Sequence, residues 1–206
     1  AAPVRLNAAP LSGRSAGWSG ISLASGASAT LTHTIIEGAV TGISGGSASV
    51  TIQDCLIEDC DTGLSLNSCD FAADGLEVRG CAVNGALLNG GGGNLTDCVF
   101  DSNGLSGVEI RGGATHSFDS TSFSSTSGGD GVDVYVSQVS FTACDFDRNA
   151  GNGILVQNCH PVFHACIFKD NVQAGMLCRK TASPTVALST FSDNYAGVIA
   201  ETASRP

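Results

Sequence analysis

The sequence predicts an all-β solenoid of about nine coils, each about 22 residues long. Two independent columns of residues recur along almost the whole chain, one at steps of 21 to 24 residues and the other at steps of 21 to 23 residues. Short stretches between them alternate apolar and polar residues, which is the pattern of β-strands. A repeat of this length is typical of stacked coils, since each coil buries its apolar face only against its neighbours.

The first column is a glycine that precedes an aliphatic residue. Its members are Gly20, Gly42, Gly63, Gly85, Gly107, Gly131, Gly153, Gly175 and Gly197. The second column is a large apolar residue, and its members are Ile36, Ile57, Val78, Phe100, Phe123, Phe146, Phe168 and Phe191. Because stacking supplies the core of a solenoid, we expect the phenylalanines of the second column to form an aromatic stack inside.

The strands are visible within each repeat. In the segment GILVQN, Ile154 and Val156 point to one face while Leu155 and Gln157 point to the other. A unit of about 22 residues has no room for a helix beside these strands, so each coil is predicted to hold three short strands. Equivalent positions then stack about 4.8 Å apart and give a rod roughly 40 Å long.

Two further columns mark the bends. The column three residues after the large apolar residue comprises Ala39, Cys60, Cys81, Asn103, Thr126, Asn149, Asn171 and Asn194. The column two residues before it comprises Thr34, Cys55, Leu76, Cys98, Thr121, Cys144, Cys166 and Ser189. Asn tolerates the left-handed conformation of sharp bends, and a stack of Asn residues is expected to form a ladder of side-chain hydrogen bonds.

Composition narrows the function classes. Hydrophobic residues make up 42% of the chain, only 14% of residues are charged, and 27 are glycine, which favours a β protein with many turns. The net charge of −10 argues against nucleic acid and anionic lipid as partners. No apolar stretch approaches the roughly 20 residues that a membrane span needs, so no membrane insertion is expected.

The nine cysteines leave two interpretations open. Cys60 with Cys81, and Cys144 with Cys166, fall on adjacent coils at a separation that a disulfide allows, but parallel stacked side chains fit a bridge poorly. Buried free thiols are the preferred interpretation. No zinc spacing occurs, and a two-histidine metal site at His160 and His164 would lack an evident third ligand.

Two other kinds of solenoid fit this repeat less well. Leucine-rich repeats share this period, but they need Leu at most inward positions, where this chain has Ile, Val, Phe and Cys. A left-handed hexapeptide helix has a coil of about 18 residues, which the observed period excludes.

The repeat unit φ-x-x-C-x-F-x-x-N-x-x-x-G-I-x-V resembles the right-handed parallel β-helix repeat of the pectate-lyase-like superfamily, over roughly residues 20 to 199. GWSGISL, residues 17–23, resembles the entry segment of large secreted bacterial β-helix proteins, and the F-x-x-N spacing resembles that of polymorphic surface adhesins. The resemblance implies one right-handed parallel β-helix over residues 1–206, which we take as a segment of a longer solenoid. It also implies a secreted or cell-surface location.

In active members of the superfamily, the outward face of the strand after the glycine carries the site. The corresponding patch of this chain comprises Glu109, Arg111, Asp133, Tyr135, Gln157 and Arg179. Acids, arginines and an aromatic side chain are typical of sugar-binding grooves. An ordinary solvated face with cross-strand ion pairs is the alternative.

The preferred function is a non-catalytic module, an adhesin, stalk or carbohydrate-contacting domain, with a polysaccharide or a surface protein as partner. One alternative is a polysaccharide lyase or glycoside hydrolase acting on an extended acidic glycan. No cofactor is expected, except calcium under the lyase alternative, for which only Glu109, Asp130 and Asp133 lie near one another. A phage fibre, which predicts a trimer, is the other alternative. Self-association is expected through the coil ends or through an exposed stripe of Leu155, Leu177 and Ile199.

Overall fold

The computed structural model describes residues 2–7 and 18–201, and this part of the chain consists of 26 β-strands without a helix. No segment there could cross a membrane as a helix. Residues 1, 8–17 and 202–206 lie outside the described residues, and they include Gly17 of the GWSGISL segment. The strands, in chain order, are β1 (Val4–Asn7), β2 (Ile21–Leu23), β3 (Ser28–Thr32), β4 (Thr34–Glu37), β5 (Thr41–Gly46), β6 (Ser49–Gln53), β7 (Leu56–Glu58), β8 (Thr62–Asn67), β9 (Asp70–Asp74), β10 (Glu77–Arg79), β11 (Ala86–Asn89), β12 (Gly92–Thr96), β13 (Val99–Asp101), β14 (Val108–Arg111), β15 (Thr115–Asp119), β16 (Ser122–Ser124), β17 (Val132–Tyr135), β18 (Gln138–Thr142), β19 (Asp145–Asp147), β20 (Ile154–Gln157), β21 (Val162–His164), β22 (Ile167–Lys169), β23 (Ala174–Arg179), β24 (Thr185–Ala187), β25 (Thr190–Ser192) and β26 (Ala196–Glu201).

The strands form three sheets that wrap around one core. Sheet I runs β1-β4-β7-β10-β13-β16-β19-β22-β25, sheet II runs β2-β5-β8-β11-β14-β17-β20-β23-β26, and sheet III runs β3-β6-β9-β12-β15-β18-β21-β24. Every third strand joins the same sheet, which is the topology of a parallel β-solenoid. The strands from β2 to β25 make eight complete coils, while β1 and β26 add a single strand at either end. The expected count of about nine coils is thus eight full coils with two partial ones.

The columns seen in the sequence are rows of paired residues in the sheets. In sheet I, Phe123 is the Cα partner of Phe100 on one side and of Phe146 on the other. In sheet II, Ile154 is the partner of both Val132 and Met176. The inward members are buried from Ile36 to Phe168 in sheet I and from Ile43 to Met176 in sheet II, so the side chains that repeat in the sequence form the continuous core.

The predicted aromatic stack is confirmed, and the structure adds a second one. The rings of Phe100, Phe123, Phe146, Phe168 and Phe191 stack at successive centroid distances of 5.6, 5.0, 4.6 and 4.5 Å. Phe118, Phe141 and Phe163 form a second stack in sheet III, at 5.1 and 5.0 Å. Rings of the two stacks meet edge to face, as Phe141 and Phe146 do at 5.4 Å. Burying each ring contributes about 2–3 kcal/mol, and an aromatic pair adds about 1 kcal/mol.

The bends use the left-handed backbone region at all three corners of the coil. At one corner it is adopted by Arg148 with a φ of 53°, at the next by Asn158 with 55°, and at the third by Ala165 with 55°. The Asn column was expected to supply these conformations, and this expectation is wrong. The residue just before each Asn takes the strained φ, which leaves the Asn side chain free to turn inward.

The inward Asn residues form the predicted ladder. The Asn149 side-chain amide donates to the Phe123 carbonyl at 3.1 Å and to Asn171 Oδ1 at 2.9 Å, while its own Oδ1 accepts from the Thr126 backbone N–H at 3.2 Å. Asn171 repeats the pattern with Phe146 and Asn194. Asn149 is fully buried, so these bonds satisfy backbone groups at the bend that water does not reach.

All nine cysteines are free and buried. Several donate a weak hydrogen bond to the carbonyl two residues earlier, as Cys98 Sγ does to Thr96 at 3.2 Å. Burial raises the pKa of Cys98 to about 11, which keeps this thiol protonated and unreactive at neutral pH. The cysteines therefore act as small core residues.

We predict that Asn149→Ala lowers the free energy of unfolding by about 3 kcal/mol, because it leaves buried backbone groups without partners. The matched control is Asn89→Ala, which removes an exposed side chain bonded only to Asn67 and should change stability by less than about 0.5 kcal/mol. Urea denaturation measures both. Equal losses in the two variants would show that the ladder carries no special stability.

We also predict that a thiol reagent such as Ellman's reagent labels no cysteine in the folded chain and all nine after unfolding in guanidinium, because every thiol is buried and unpaired. Fewer than nine equivalents after unfolding without reductant would mean that some thiols are bridged.

Candidate functional site

Sheet II brings the six predicted site residues together on its outward face. Glu109 and Asp133 are Cα partners on β14 and β17, and Tyr135, Gln157 and Arg179 follow one another on β17, β20 and β23. Arg111 lies at the end of β14, two residues after Glu109. The patch is thus continuous across four coils.

Arg111 is held between a carboxylate and an aromatic ring. Its guanidinium pairs with Glu109, and its central carbon lies 5.4 Å from the centroid of the Tyr135 ring. Glu109 also accepts a hydrogen bond from the Asn84 side chain at 3.2 Å, and its side chain is only 12% exposed. The arrangement presents a planar cation stacked on a ring, with its charge balanced locally.

Asp133 differs from its neighbours because it is buried. It is 8% exposed, Ser106 donates a hydrogen bond to its Oδ2, and its Oδ1 has no protein partner. Burial raises the pKa of Asp133 to about 7, and repulsion from Asp130 adds to the shift, while the Ser106 hydrogen bond and the charge of Arg111 oppose it. The sequence pattern placed Asp133 on a solvated face; the structure shows a covered carboxyl group that is partly protonated near neutral pH.

Asp130 stands directly before Gly131, in the place that Asn84, Ser106 and Asn152 take in neighbouring repeats. The bend from Thr126 to Gly131 has one residue more than the bends from Asn103 to Gly107 and from Asn149 to Gly153. The Asp130 side chain accepts from the Asn152 backbone N–H at 2.6 Å and from its side-chain amide at 2.9 Å. The charge of Asp130 adds to the effect of burial, which is the larger cause of the raised pKa of Asp133.

A second side-chain ladder runs beside the patch and was missed in the sequence. Asn84 Oδ1 accepts from the Ser106 backbone N–H at 3.2 Å, and Asn152 Oδ1 accepts from the Ala174 backbone N–H at 3.0 Å. The signal was present, because a polar residue stands directly before the glycine in four successive repeats: Asn84, Ser106, Asp130 and Asn152.

The expected exposed stripe of Leu155, Leu177 and Ile199 is wrong. Leu155 and Leu177 are 6% and 5% exposed, and Ile199 is half-buried. The three are Cα partners on adjacent strands, so their long side chains cover one another, and Ile199, at the end of the row, is covered from one side only. Leu155 and Leu177 form a small apolar cluster outside the central core.

A cavity lies elsewhere, as an open groove of about 680 Å³ on the outward face of sheet III and its adjoining corner. Sequence reasoning missed it, because its shape depends on how the corner between sheets II and III turns. Its lining contains no Asp, Glu, Lys or Arg. The lining residues are Asn94, Gly113, Thr115, His116, Ser117, Val136, Ser137, Gln138, Val139, Ser140, Asn158, Cys159, His160 and Val162.

Polar rows and two exposed valines shape the groove. Asn94, Ser117 and Ser140 are in register on three successive strands, and Ser117 Oγ donates to Asn94 Oδ1 at 2.7 Å. Val136 is 59% exposed and Val162 is 47% exposed. Val136 also has a φ of 48°, which is strained for a β-branched residue and fixes it at the rim of the groove.

His116 lies beneath the groove with its side chain in the core. It is 4% exposed, neither ring nitrogen has a hydrogen-bond partner, and its Cα partner is Gly93. Burial lowers the pKa of His116 to about 4, so the ring is neutral at physiological pH. His116 therefore supports the floor of the groove as an uncharged ring.

Metal ligands are not clustered in the part of the chain that the structure describes. No group of three or more His, Cys, Asp or Glu side chains there could hold a metal ion. His160 precedes β21 and His164 ends it, and both are exposed without a third ligand beside them among the described residues.

We predict that Asp133→Asn is more stable than the parent chain at pH 8, and that this advantage disappears near pH 4. The native pKa of Asp133 is about 7, whereas an unfolded Asp titrates near 3.9, so folding loses stability as pH rises between these values. The full effect is on the order of 3–4 kcal/mol. Urea midpoints of both proteins across this range test it, with the exposed Asp61→Asn as control; an advantage that does not change with pH would contradict the assignment.

Comparison with known proteins agrees with this architecture. A structure of pectate lyase Pel9A superposes with a TM-score of 0.65 at 13% identity, covering 97% of this chain and 58% of that one. A mutant of the periplasmic alginate epimerase AlgG gives 0.58 at 14% identity, covering 87% and 62%. ORF18 of Geobacillus virus E2 gives 0.50 at 13% identity, covering 97% and 57%. The chain spans about three fifths of the length of these structures. At identities of 13% to 14%, the superpositions show a shared fold and nothing more.

No curated protein sequence matches the chain. The family model described as "Right handed beta helix region" matches residues 62–205, which is more than half of the chain and includes the predicted patch and the groove. Together with three parallel sheets and coils of about 22 residues, this match establishes that the chain belongs to the right-handed β-helix family.

Proposed function

We propose that the chain is a non-catalytic carbohydrate-binding module, secreted or at a cell surface, whose sheet III groove holds an uncharged stretch of polysaccharide. The observation that carries the proposal is the lining of the groove, which offers hydroxyl, amide and imidazole groups without one charged side chain. The chain as a whole has a net charge of −10, so a neutral groove is a local exception.

The form of the groove suits an extended polymer. Asn94, Ser117 and Ser140 repeat one kind of short polar side chain at the strand spacing of about 4.8 Å along the solenoid axis. Hydroxyl and amide groups of this kind can exchange hydrogen bonds with sugar hydroxyls in either direction. The exposed side chains of Val136 and Val162 offer apolar contact to the C–H faces of a sugar ring.

The neighbouring structures support a polysaccharide as the ligand class. The names pectate lyase and alginate epimerase both refer to polysaccharides, and one of these neighbours is described as periplasmic. Since the identities are 13% and 14%, this support concerns the scaffold and polysaccharides as a class, and it does not extend to the reaction or to the charge of the polymer.

A non-catalytic role is preferred because the acids of the patch are occupied. Glu109 pairs with Arg111 and accepts from Asn84, and the free oxygen of Asp133 is shielded from solvent. A general acid or base must come within hydrogen-bond reach of the substrate. A substrate would have to displace Arg111 from Glu109, or uncover Asp133, to come within reach of either carboxyl group.

The exposed row of sheet II is the second candidate surface. Arg111 over Tyr135, followed by Gln157 and Arg179, offers a stacked ring and two guanidinium groups to an acidic glycan. Arg179 is paired with Glu201 at 2.8 Å, as Arg111 is with Glu109, so a ligand would have to compete for both cations. The lyase or hydrolase alternative also belongs to this face.

We predict that Ser140→Trp, which fills the groove, weakens binding of a neutral oligosaccharide by at least about tenfold, because it blocks the floor that the ligand occupies. Thr30→Trp places the same ring at an exposed outward position of sheet III outside the groove and should leave binding unchanged. A glycan array identifies the oligosaccharide, and titration calorimetry measures the affinities.

Tyr135→Ala separates the two surfaces. Tyr135→Ala leaves the affinity unchanged if the groove is the site. If Tyr135→Ala instead weakens binding by about tenfold while Ser140→Trp has no effect, the binding site lies on sheet II. Release of unsaturated or shortened sugars that stops in Arg111→Ala would replace the proposal by the enzyme alternative, and a trimer in solution would favour the phage-fibre alternative.

A further inference from the structure

A second cavity lies on the same face of the solenoid as the groove. It has a volume of about 400 Å³ and lies on the outward side of β6, β9 and β12 in sheet III. The groove lies over β15, β18 and β21 and reaches Asn94 on β12. Because Asn94 lines both cavities, a single side chain separates them. The recess on sheet III therefore continues beyond the groove.

The two cavities share a floor of short, uncharged side chains. These residues occupy the central outward position on six successive strands, from β6 to β21, so the row spans five strand spacings, or about 24 Å. Ser117 donates to Asn94 Oδ1 at 2.7 Å, so the Asn94 side chain lies along the row and does not stand across it. The floor residues are Thr51, Ala72, Asn94, Ser117, Ser140 and Val162.

The cavities open on opposite sides of this floor. The groove also contacts Thr115 and Gln138, towards the corner with sheet II, whereas the second cavity contacts Gln53 and Asp74, towards the corner with sheet I. A chain that fills both cavities therefore crosses the sheet obliquely and passes over Asn94. Gln138 and Gln53 place one amide on each side, and an amide both donates and accepts hydrogen bonds, as a sugar hydroxyl does.

The regular pairing of the sheet is interrupted where the cavities meet. The pairing of β12 with β9 omits two successive residues of β12, Gly93 and Asn94. Gly93 has a φ of 149°, and a Cβ at this position would collide with the Phe71 carbonyl oxygen, so only glycine fits. Glycine inside a strand marks a bulge or a close approach, and bulges are frequent beside functional sites. This departure from the repeat includes Asn94, the residue that the two cavities share.

The charges of this face favour an uncharged ligand. The eight strands of sheet III, all of which are described, contain no Lys and no Arg. They contain three acids that point outward, Asp70, Asp74 and Asp119, and Asp74 lines the second cavity. A polymer of uronic acids would bring its carboxylates close to these charges without a cation to balance them. A neutral sugar chain avoids this repulsion.

We infer that the polysaccharide site extends from the groove into the second cavity and binds about six residues of an uncharged, linear sugar chain. The inference rests on the proposed function, because it takes the groove as one half of the site. The number of residues follows from the six floor positions, since one sugar ring of an extended chain is about as long as the strand spacing.

Titration calorimetry with neutral β-1,4-linked oligomers of glucose, mannose and N-acetylglucosamine, each in a three-residue and a six-residue form, tests the inference. The six-residue form is expected to bind at least about tenfold more tightly than the three-residue form of the same sugar, because it contacts both cavities. Ala72→Trp fills the second cavity, so it should remove this gain and leave the affinity for the three-residue form unchanged.

Thr190→Trp is the matched control, because it places the same ring at an exposed outward position of sheet I and should change neither affinity. Thr51→Trp, on the floor of the second cavity, serves as a second variant in case Ala72→Trp does not fold, and circular dichroism verifies the folding of each.

The outcomes separate this inference from the proposed function. If Ser140→Trp weakens binding of both oligomer lengths while Ala72→Trp and Thr51→Trp weaken neither, the groove is the whole site and its extension is wrong. If no neutral oligomer binds, or if Ser140→Trp has no effect, the proposed function fails and the inference fails with it. A six-residue oligomer of galacturonic acid is expected to bind at least about tenfold more weakly than the neutral one, and equal or tighter binding would overturn the assignment of an uncharged chain.

Discussion

Parallel pairing in fixed register, coil upon coil, is the constraint on which the rest of the structure depends. Because each residue meets its equivalent in the next coil about 4.8 Å away, a residue type suits one position only if it tolerates a copy of itself above and below. Phenylalanine does so by stacking, and asparagine does so by bonding amide to amide. The glycine column follows from the same rule: a Cβ at Gly131 would lie 2.6 Å from the Gly153 carbonyl oxygen and 2.7 Å from the Asn149 amide.

This constraint leaves freedom only at the corners and on the outward rows. The extra residue between Thr126 and Gly131 does not disturb the pairing of β17 with β14 or β20. The surroundings of the outward row change through residue type instead, because Asp130 stands next to the buried Asp133 where neighbouring repeats have Asn or Ser. The groove lies at another corner, where the left-handed position that the coils share is occupied by the exposed Val136. Residues that define the coil are thus shared by all repeats, and chemical individuality is confined to positions where the repeat departs from itself.

The sequence predicted what repeats and missed what depends on three-dimensional surroundings. The period, the first phenylalanine stack, the Asn ladder and the proximity of Glu109 to Asp133 followed from spacing alone. The second stack was missed because its row begins with Leu31, Ile52, Ala73 and Leu95 before Phe118 appears, so no single residue type marks it. The left-handed φ was assigned to Asn149 instead of Arg148, since residue type alone does not locate it. The alternation of the strands predicts that Leu155 and Leu177 point outward, and they do. They are nevertheless covered, because long side chains that stack on adjacent strands bury one another.

The two buried ionisable groups show how the molecule accommodates polar side chains that lack partners. Burial lowers the pKa of His116 to about 4 and raises the pKa of Asp133 to about 7, so in each case it favours the neutral form. Their effects on stability have opposite signs. Folding loses stability through His116 as pH falls from about 6.5 towards 4, and through Asp133 as pH rises from about 4 towards 7. Over this shared range the two contributions largely cancel, so a flat stability profile of the parent chain is compatible with two strongly perturbed groups. Taken by themselves, these two groups therefore change stability little between about pH 4 and pH 6.5, although each alone would make it depend on pH.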